Sequence, residues 1–462
     1  MCNDYLVKIG DIATVFDGPH ATPTKIEHGP YFLSISSLEA GQLDLSKSAR
    51  LSEEQFDKWT RRVTPQEGDV LFSYETRLGE AALMPKGVKA CLGRRMGLLR
   101  PALDKVLPEY LLYAYMSPMF QQEIKKRTIH GATVDRISLK ELPDFNIRIP
   151  PLSEQARVVN VLKSLNQKLS LNHQINQTLE QMAQTLFKSW FVDFDPVMDN
   201  ALDAGNPIPD ELQHRAEARK AVRESEGFKP LPDEVRQLFP DAFEESELGW
   251  VPKGWAISTI SDMARINSKT WSKKSAPEVV EYVDLSNAKN GVILGTDVYV
   301  FDEAPSRARR ILNKKDTIFG LVRPANRSYA FVDKDGLTGS TGFAVVTAKK
   351  SNGANFIYQL LTSDNIIDLF IRIADGAAYP AIKPDDIADV QFAMPSDQVL
   401  DYFELVANSY KERSAIGLTN NINLTALRDT LLPKLISGEL RLDEIELAVE
   451  QEAVSAEQQN ER

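Results

Sequence analysis

The side chains of this chain best suited to chemistry are cations. Arg61 and Arg62, Arg77, Arg94 and Arg95, and Lys125, Lys126 and Arg127 lie in its first third. Lys269, Lys273 and Lys274 follow later, then Arg307, Arg309 and Arg310 in the run SRARR, then Arg323 and Arg327. Such groups neutralise phosphates, and arginine can also hold a guanine edge through two parallel hydrogen bonds. Thr76, His130, Thr133, Asn326 and Tyr379 are polar residues in turn-rich stretches, placed to meet base edges. Taken singly, each is equally a solvated surface group. Arg77 and Arg323 stand out because both fall in loops just after a predicted strand.

Other chemistries find no support. There is no GxGxxG, no phosphate-binding GxxxxGK[ST] and no GxSxG elbow. The one Pro-Pro pair, Pro150-Pro151, is followed by Leu152, so it is not the Pro-Pro-aromatic motif of an amino-methyltransferase. The five histidines show no metal-ligand spacing, and no metal or cofactor is expected in this chain. Two cysteines, Cys2 and Cys91, make no disulfide framework and point to a reducing compartment. The opening MCNDYLVKIGDIA lacks the basic and apolar regions of a signal peptide. No apolar run nears the roughly 18 residues of a membrane span. A cytoplasmic protein is expected.

The elements that must position the cations come in two copies. HGATVDRISLKELPDFNIRIPPLSEQARVVNVL, from His130, is echoed by DGAAYPAIKPDDIADVQFAMPSDQVLDYFELV, from Asp375. The register holds at Gly131/Gly376, Ile137/Ile382, Pro150/Pro395, Val161/Val406 and Leu186/Leu431. The offset between the copies, 375 − 130 = 245 residues, is far longer than a solenoid period of roughly 20–50 residues. It marks a duplicated domain followed by a helix. Each copy opens with short alternating runs broken by Gly and Pro, such as YFLSISSLE and DVLFSYE, which predict strands of an α+β domain. One helical stretch follows in each, from Pro108 and from Asn355.

After Pro151 the texture changes. Ser153 with Glu154 and Gln155 predicts a capped helix start. Apolar residues then recur at helical spacing through Leu186, and no Gly or Pro appears before Pro196. The corresponding stretch runs from about Ser396 to Ile436. A helix of this length extends about 57 Å. Two such seams most simply pack on each other, with Asn172, Asn176 and Asn421 as polar register markers.

These patterns divide the chain into a first domain (1–150), a first long helix (151–195) and an acidic, Pro-rich linker (196–248). A second domain (249–395), a second long helix (396–442) and an acidic tail (443–462), expected to be disordered, follow. The net charge of −11 sits in two of these pieces. Residues 199–248 hold 6 Lys/Arg against 13 Asp/Glu, and 443–462 hold 1 against 7, leaving the rest at +2. Phosphate binding follows local clusters rather than the chain total, so the acidity does not exclude nucleic acid.

Taken as a set, these features resemble the specificity subunit of type I restriction-modification systems. The resemblance rests on the two copies closed by IPPLSEQARVV and AMPSDQVLDYF, on TLFKSWFVDFDPV, on FPDAFEESELGWVPKGW and on TLLPKLISGELRL, over about 440 residues. The second copy departs where Ser396 and Asp397 stand for Pro151 and Leu152, and Leu400 for Gln155. The resemblance implies an α+β fold with two target recognition domains separated by long antiparallel coiled-coil helices. It implies a non-catalytic chain that reads a split, non-palindromic site on double-stranded DNA. The partners it implies are two adenine methyltransferase subunits carrying S-adenosylmethionine. Through them comes a restriction and motor subunit using ATP and Mg. A stand-alone methyltransferase would need a cofactor-binding sheet that this chain does not encode. A scaffold whose two domains bind proteins is the other alternative.

Overall fold

The computed structural model describes residues 5–440 apart from 20, 40 and 132. The acidic tail lies outside the described residues. The chain forms two compact units. Among the described residues, the first comprises 5–171 and 420–440, the second 172–419. Each unit therefore takes one half of each long helix, Leu152–Phe191 and Asp397–Ser437.

In the first unit, strands Ala13–Asp17, Met96–Pro101, Val70–Ser73 and Ala81–Leu83 form an antiparallel sheet in that order. Val70–Ser73 is buried along its whole length, as an apolar run covered on both faces should be. A smaller sheet pairs Ile26–Phe32 with Ala49–Arg50 and, in parallel, with Ala90–Cys91. Burial pushes the Cys91 thiol up to about 12, so this cysteine is a packing residue. Leu6–Lys8 pairs with Asn146–Arg148 and ties the start of the domain to its end.

The second unit repeats this plan. Ala264–Ile266, Phe343–Ala348, Thr317–Gly320 and Tyr329–Phe331 form the same four-strand order. Ile257–Thr259 pairs with Gln391–Ala393. Its second sheet is larger, with Val279–Val283 at its centre between Asp297–Val300 and a parallel Leu337–Ser340. The two fronts thus share a topology that their sequences do not show.

The single helical stretch expected in each copy is broken in two. Pro108–Met116 and Pro118–Lys126 meet at Ser117; Ala354–Thr362 and Asp364–Ile373 meet at Ser363. Both serines are extended, with ψ near 149° and 146°. Pro118 has no N–H and disfavours helical geometry at Ser117. The Ser117 hydroxyl accepts from Phe120 N and caps the second helix.

The long helix of the first copy starts at Leu152, not behind a Ser153 cap. The Pro151 carbonyl accepts from Glu154 and Gln155 N, which places Ser153 inside the first turn. Gln155 is fully buried and bonds Leu107 N and the Lys105 and Pro150 carbonyls, pinning the helix to its domain. The second helix starts at Asp397, and Ser396 Oγ accepts from Val399 N.

Within each unit the two helix halves run antiparallel. In the first, Val158 and Leu162 share a core with Leu435 and Ile436, and the Arg148 guanidinium bonds the Ile436 carbonyl at 3.0 Å. In the second, Phe187 and Phe191 pack edge-on against Phe403 and Trp190 lies tilted against it, with Phe356 and Trp255 beside them. Asn176 lies against Gly417, where a Cβ would come within 2.6 Å of its Oδ1. Asn421 is buried and Asn172 half-buried.

The acidic linker is folded. Helices Asp195–Ala204 and Gln213–Glu224 are joined by Arg219, which bonds both Asp199 oxygens at 2.9 and 2.6 Å. Arg223 and Arg236 both pair with Asp203. Val197, Val235 and Phe239 enter the core of the second unit.

Candidate nucleic-acid interface

Three backbone hydrogen bonds tie together the repeated loop from His130, the loop after Ser73 and the loop at Arg95. Thr76 N donates to Asp135 O at 3.1 Å, Ile137 N to Tyr74 O at 3.0 Å, and Tyr74 N to Arg95 O at 3.2 Å. A Glu75–Arg136 bridge continues the pairing. The second unit reproduces each bond. Arg323 N donates to Pro380 O at 2.6 Å, Ile382 N to Leu321 O at 2.9 Å, and Leu321 N to Gly342 O at 2.9 Å. A Val322–Ala381 bridge stands for Glu75–Arg136. Three loops therefore meet at one place in each unit, in one backbone frame.

The frame corrects one expected pairing. The counterpart of Arg323 is Thr76, not Arg77. Both hold the left-handed region, φ 52° and 74° respectively, which an L side chain enters at a cost. Arg77 is occupied within its own domain, with Nη1 on the Ile35 carbonyl at 3.0 Å and Nη2 on Glu80 at 3.3 Å.

Around the first frame the structure gathers Thr76, Arg95 and His130. Arg95 Nη1 donates to Thr76 Oγ1 at 3.2 Å, and its Nε lies 3.2 Å from Glu75. His130 Nδ1 is 3.0 Å from Asp135 Oδ1. Arg94 and Thr133 are exposed in the same loops. Arg62 reaches the same neighbourhood by bonding Asp17 at 2.8 Å, with exposed Arg61 beside it. Burial, reinforced by Asp17, raises the Tyr74 hydroxyl well above its ordinary value and keeps it protonated. Lys125 and Lys126 are exposed in the last helical turn before the loop. Arg127 is not part of the group: it pairs with Glu123 at 3.0 Å and lies over Phe145.

Around the second frame lie Arg323, Asn326, Arg327 and Tyr379. The Arg323 guanidinium sits 4.6 Å from the Tyr379 ring centre and donates to Ala378 O at 3.0 Å. Tyr379 is 69% exposed, a large aromatic face left open. Asn326 is exposed in the Pro324–Asn326 turn. Arg327, also left-handed, pairs with Asp364 at 2.6 Å, which raises its guanidinium above the ordinary value. Arg307 borders the frame, its carbonyl accepting from Thr341 N beside Gly342.

Other cations form a separate set. Thr270 bridges Arg310, Arg309 lies over Phe301 at 4.5 Å, and the Lys269 carbonyl accepts from Ile311 N. Burial lowers the Arg310 guanidinium from its usual value. Lys273 and Lys274 are exposed in the following turn.

Sequence reasoning passed over the acids that hold these cations. Asp17, Glu75 and Asp135 each brace a loop, and only Asp135 lies in the repeat. Among the described residues no group of three or more His, Cys, Asp or Glu is placed to hold a metal ion. Nor is any helix long and apolar enough to cross a membrane.

What the site offers is a pair of loop clusters rich in arginine and hydrogen-bonding groups. Comparison with known proteins gives this arrangement a family. Residues 6–181 match the type I restriction modification DNA specificity domain. The first domain and its long helix thus carry the likeness to a type I DNA specificity domain. The match spans the first domain and most of the first long helix, and the shared backbone frame carries the same plan into the second copy. The specificity subunit is the DNA-recognition member of such a system and is not itself an enzyme.

The type I restriction enzyme HindI specificity subunit of Haemophilus influenzae is 25% identical over 371 residues, covering 74% of this chain and 80% of that protein. The MjaIX specificity subunit of Methanocaldococcus jannaschii is 22% identical over 456 residues, covering 95% and 94%. Among solved structures, the S subunit of a type I restriction-modification system from M. genitalium shares the fold. Its TM-score is 0.53 at 12% identity, covering 94% of this chain and 97% of that one.

Proposed function

We propose that each unit of this specificity subunit reads one half of a split, non-palindromic DNA site, and that two copies of an adenine methyltransferase dock on its helices. The observation that carries the reading is the duplicated loop frame with unlike side chains. The same three backbone bonds hold Thr76 and Arg95 in one unit and Arg323 and Gly342 in the other, with His130 in the repeated loop of the first and Tyr379 in that of the second. Equal frames with unequal contact groups suit two different half-sites. Phosphate contacts from the flanking cations would set orientation, and the loop residues would set sequence. Linking two readers multiplies specificity when their spacing is fixed.

The helices supply the argument for two like partners. In the first unit Val161, Ser164, Leu165, Leu427 and Leu431 line an apolar groove of about 390 Å³. The repeat places Val406, Ser409, Tyr410, Met182 and Leu186 at the corresponding positions of the second unit, where Met182 and the nearby Leu405 are exposed. Similar surfaces suit similar partners. In this reading S-adenosylmethionine belongs to the methyltransferase, and ATP with Mg to a motor subunit reached through it; this chain binds neither.

The test is to purify the chain with its methyltransferase partner, methylate genomic DNA and map the modified adenines. The expected map is a two-part motif with unlike halves and a fixed gap. A continuous or palindromic motif contradicts the reading. Saturable S-adenosylmethionine binding by the chain alone would favour a stand-alone enzyme instead.

A further inference from the structure

The two loop clusters differ most at one pair of positions. Where the first unit has Thr76 and Val134, the second has Arg323 and Tyr379. We propose that Arg323, stacked on Tyr379, is the base-reading residue of the second unit and specifies a guanine in its half-site; this rests on the split-site reading above.

Three observations favour a base contact over a phosphate contact. The first is planarity. A phosphate needs only positive charge nearby, and flexible lysines supply it. The Arg323 guanidinium is instead held over a tyrosine ring, 4.6 Å from its centre, a contact that restrains its donor fork. Arginine recognises guanine through two parallel N–H donors to O6 and N7, a contact that depends on that plane.

The second is free donor capacity. A guanidinium carries five N–H donors. Among the described residues, this one donates from Nη2 to Ala378 O. By contrast, Arg327 is taken by Asp364, and Arg95 by Glu75 and Thr76. Arg323 is the frame cation whose contacts are an aromatic face and a single neutral carbonyl.

The third is the backbone. Arg323 holds φ 52° at the mouth of the turn Pro324–Asn326, and a 2.6 Å bond from its N to Pro380 O keeps it there. Left-handed geometry for a long side chain is costly and persists where the surroundings impose it. The same frame holds Thr76 at φ 74°, so the geometry belongs to the frame, and at this position the second unit carries a guanidinium where the first carries a hydroxyl. A threonine hydroxyl has one donor and cannot make the bidentate contact.

The inference is tested in the complex with the methyltransferase partner, by mapping methylated motifs for wild type, R323K, R323Q and Y379L. Melting followed by tryptophan fluorescence controls for folding. The wild-type motif should contain a guanine in one half-site. R323K and R323Q should lose the preference for that guanine, with affinity for the cognate site falling about 10- to 100-fold. The other half-site should be unchanged, and Y379L should weaken the same guanine preference. R323K keeps the charge and the approximate length, so it decides the matter if R323Q melts early. Uniform weakening at all sites with an unchanged motif makes Arg323 a phosphate contact and overturns the proposal. A motif unaltered in R323K, R323Q and Y379L overturns it as well. A wild-type motif that is not split removes the functional reading itself, an outcome seen before any variant is examined.

Discussion

Asp69 and Asp316 hold the same place in the two units, and their surroundings treat them differently. Each sits just before the buried central strand, and each accepts a backbone N–H three residues upstream, from Gln66 and Asn313, both at 2.8 Å. In the first unit the carboxylate then meets Arg100 in a two-bond pair at 2.9 and 2.8 Å. In the second, the corresponding partner is the Thr347 hydroxyl at 2.7 Å. Burial, the larger influence, raises the Asp316 carboxyl above its ordinary value, while its hydrogen bonds pull it back. The backbone scaffold has been kept and the side chains on it exchanged. The same division governs the loops, where Thr76 and Arg323 share a frame. It also governs the helix seam. There, Asn166 bonds Tyr113 in the first unit, and Lys411 lies over Tyr358 and bonds Glu180 in the second.

Substitutions at paired positions sharpen this contrast. The largest effect is expected at the helix seam. Phe191→Ala should destabilise the second unit by about 3–5 kcal/mol, because it opens the cluster with Phe356 and Phe403. Ile436→Val, at the equivalent place in the first unit, should cost about 0.5–1.5 kcal/mol. Denaturant titration read by fluorescence separates the two, since Trp190, Trp250, Trp255 and Trp271 report the second unit and Trp59 the first. Equal losses would mean that the aromatic anchor adds nothing.

Next comes the Lys411–Glu180 pair. Lys411→Met strands a partly buried carboxylate and should cost about 2–4 kcal/mol. Adding Glu180→Gln should recover most of that loss; a double variant no better than the single one would show the two residues uncoupled. Asn166→Leu, its counterpart, should cost about 1 kcal/mol.

The aspartates give a smaller and opposed pair. Asp69→Asn breaks the Arg100 pair and should cost about 2–3 kcal/mol. Asp316→Asn should change stability by less than about 1 kcal/mol. The pH dependence follows from the raised Asp316 carboxyl. Between 3.8 and its folded value the folded state binds more protons than the unfolded one, so this group's contribution falls as pH rises through that window. Asp316→Asn should remove that slope from acid titrations of the second unit. A slope that survives the substitution assigns it to another group.

Much of the architecture was legible because it rests on side-chain pattern. The heptad-like seams gave the long helices to within a few residues, and the repeat gave the two copies. What stayed hidden rests on backbone geometry. Thr76 and Arg323 hold the same bonds, yet they lie two residues off the register of the loop that receives them, so sequence alone sets Arg77 against Arg323. The helix breaks at Ser117 and Ser363 interrupt otherwise unbroken apolar spacing. The start at Leu152 depends on a proline carbonyl, which no capping side chain announces. The candidate contacts were found as cations, and geometry sorted them. Arg77 and Arg127 are held within their own domain, while Arg94, Arg323 and Tyr379 present themselves to solvent.

The central claim is that two readers on one frame recognise two half-sites at a spacing set by the helices. It is tested most directly by lengthening both long helices where the units divide, with four residues inserted after Leu171 and four after Thr419. The methylated motif of the resulting complex is then mapped beside that of the wild type. The account predicts both half-sites unchanged and the gap between them altered. An unchanged gap, or a change in the half-sites themselves, would contradict it.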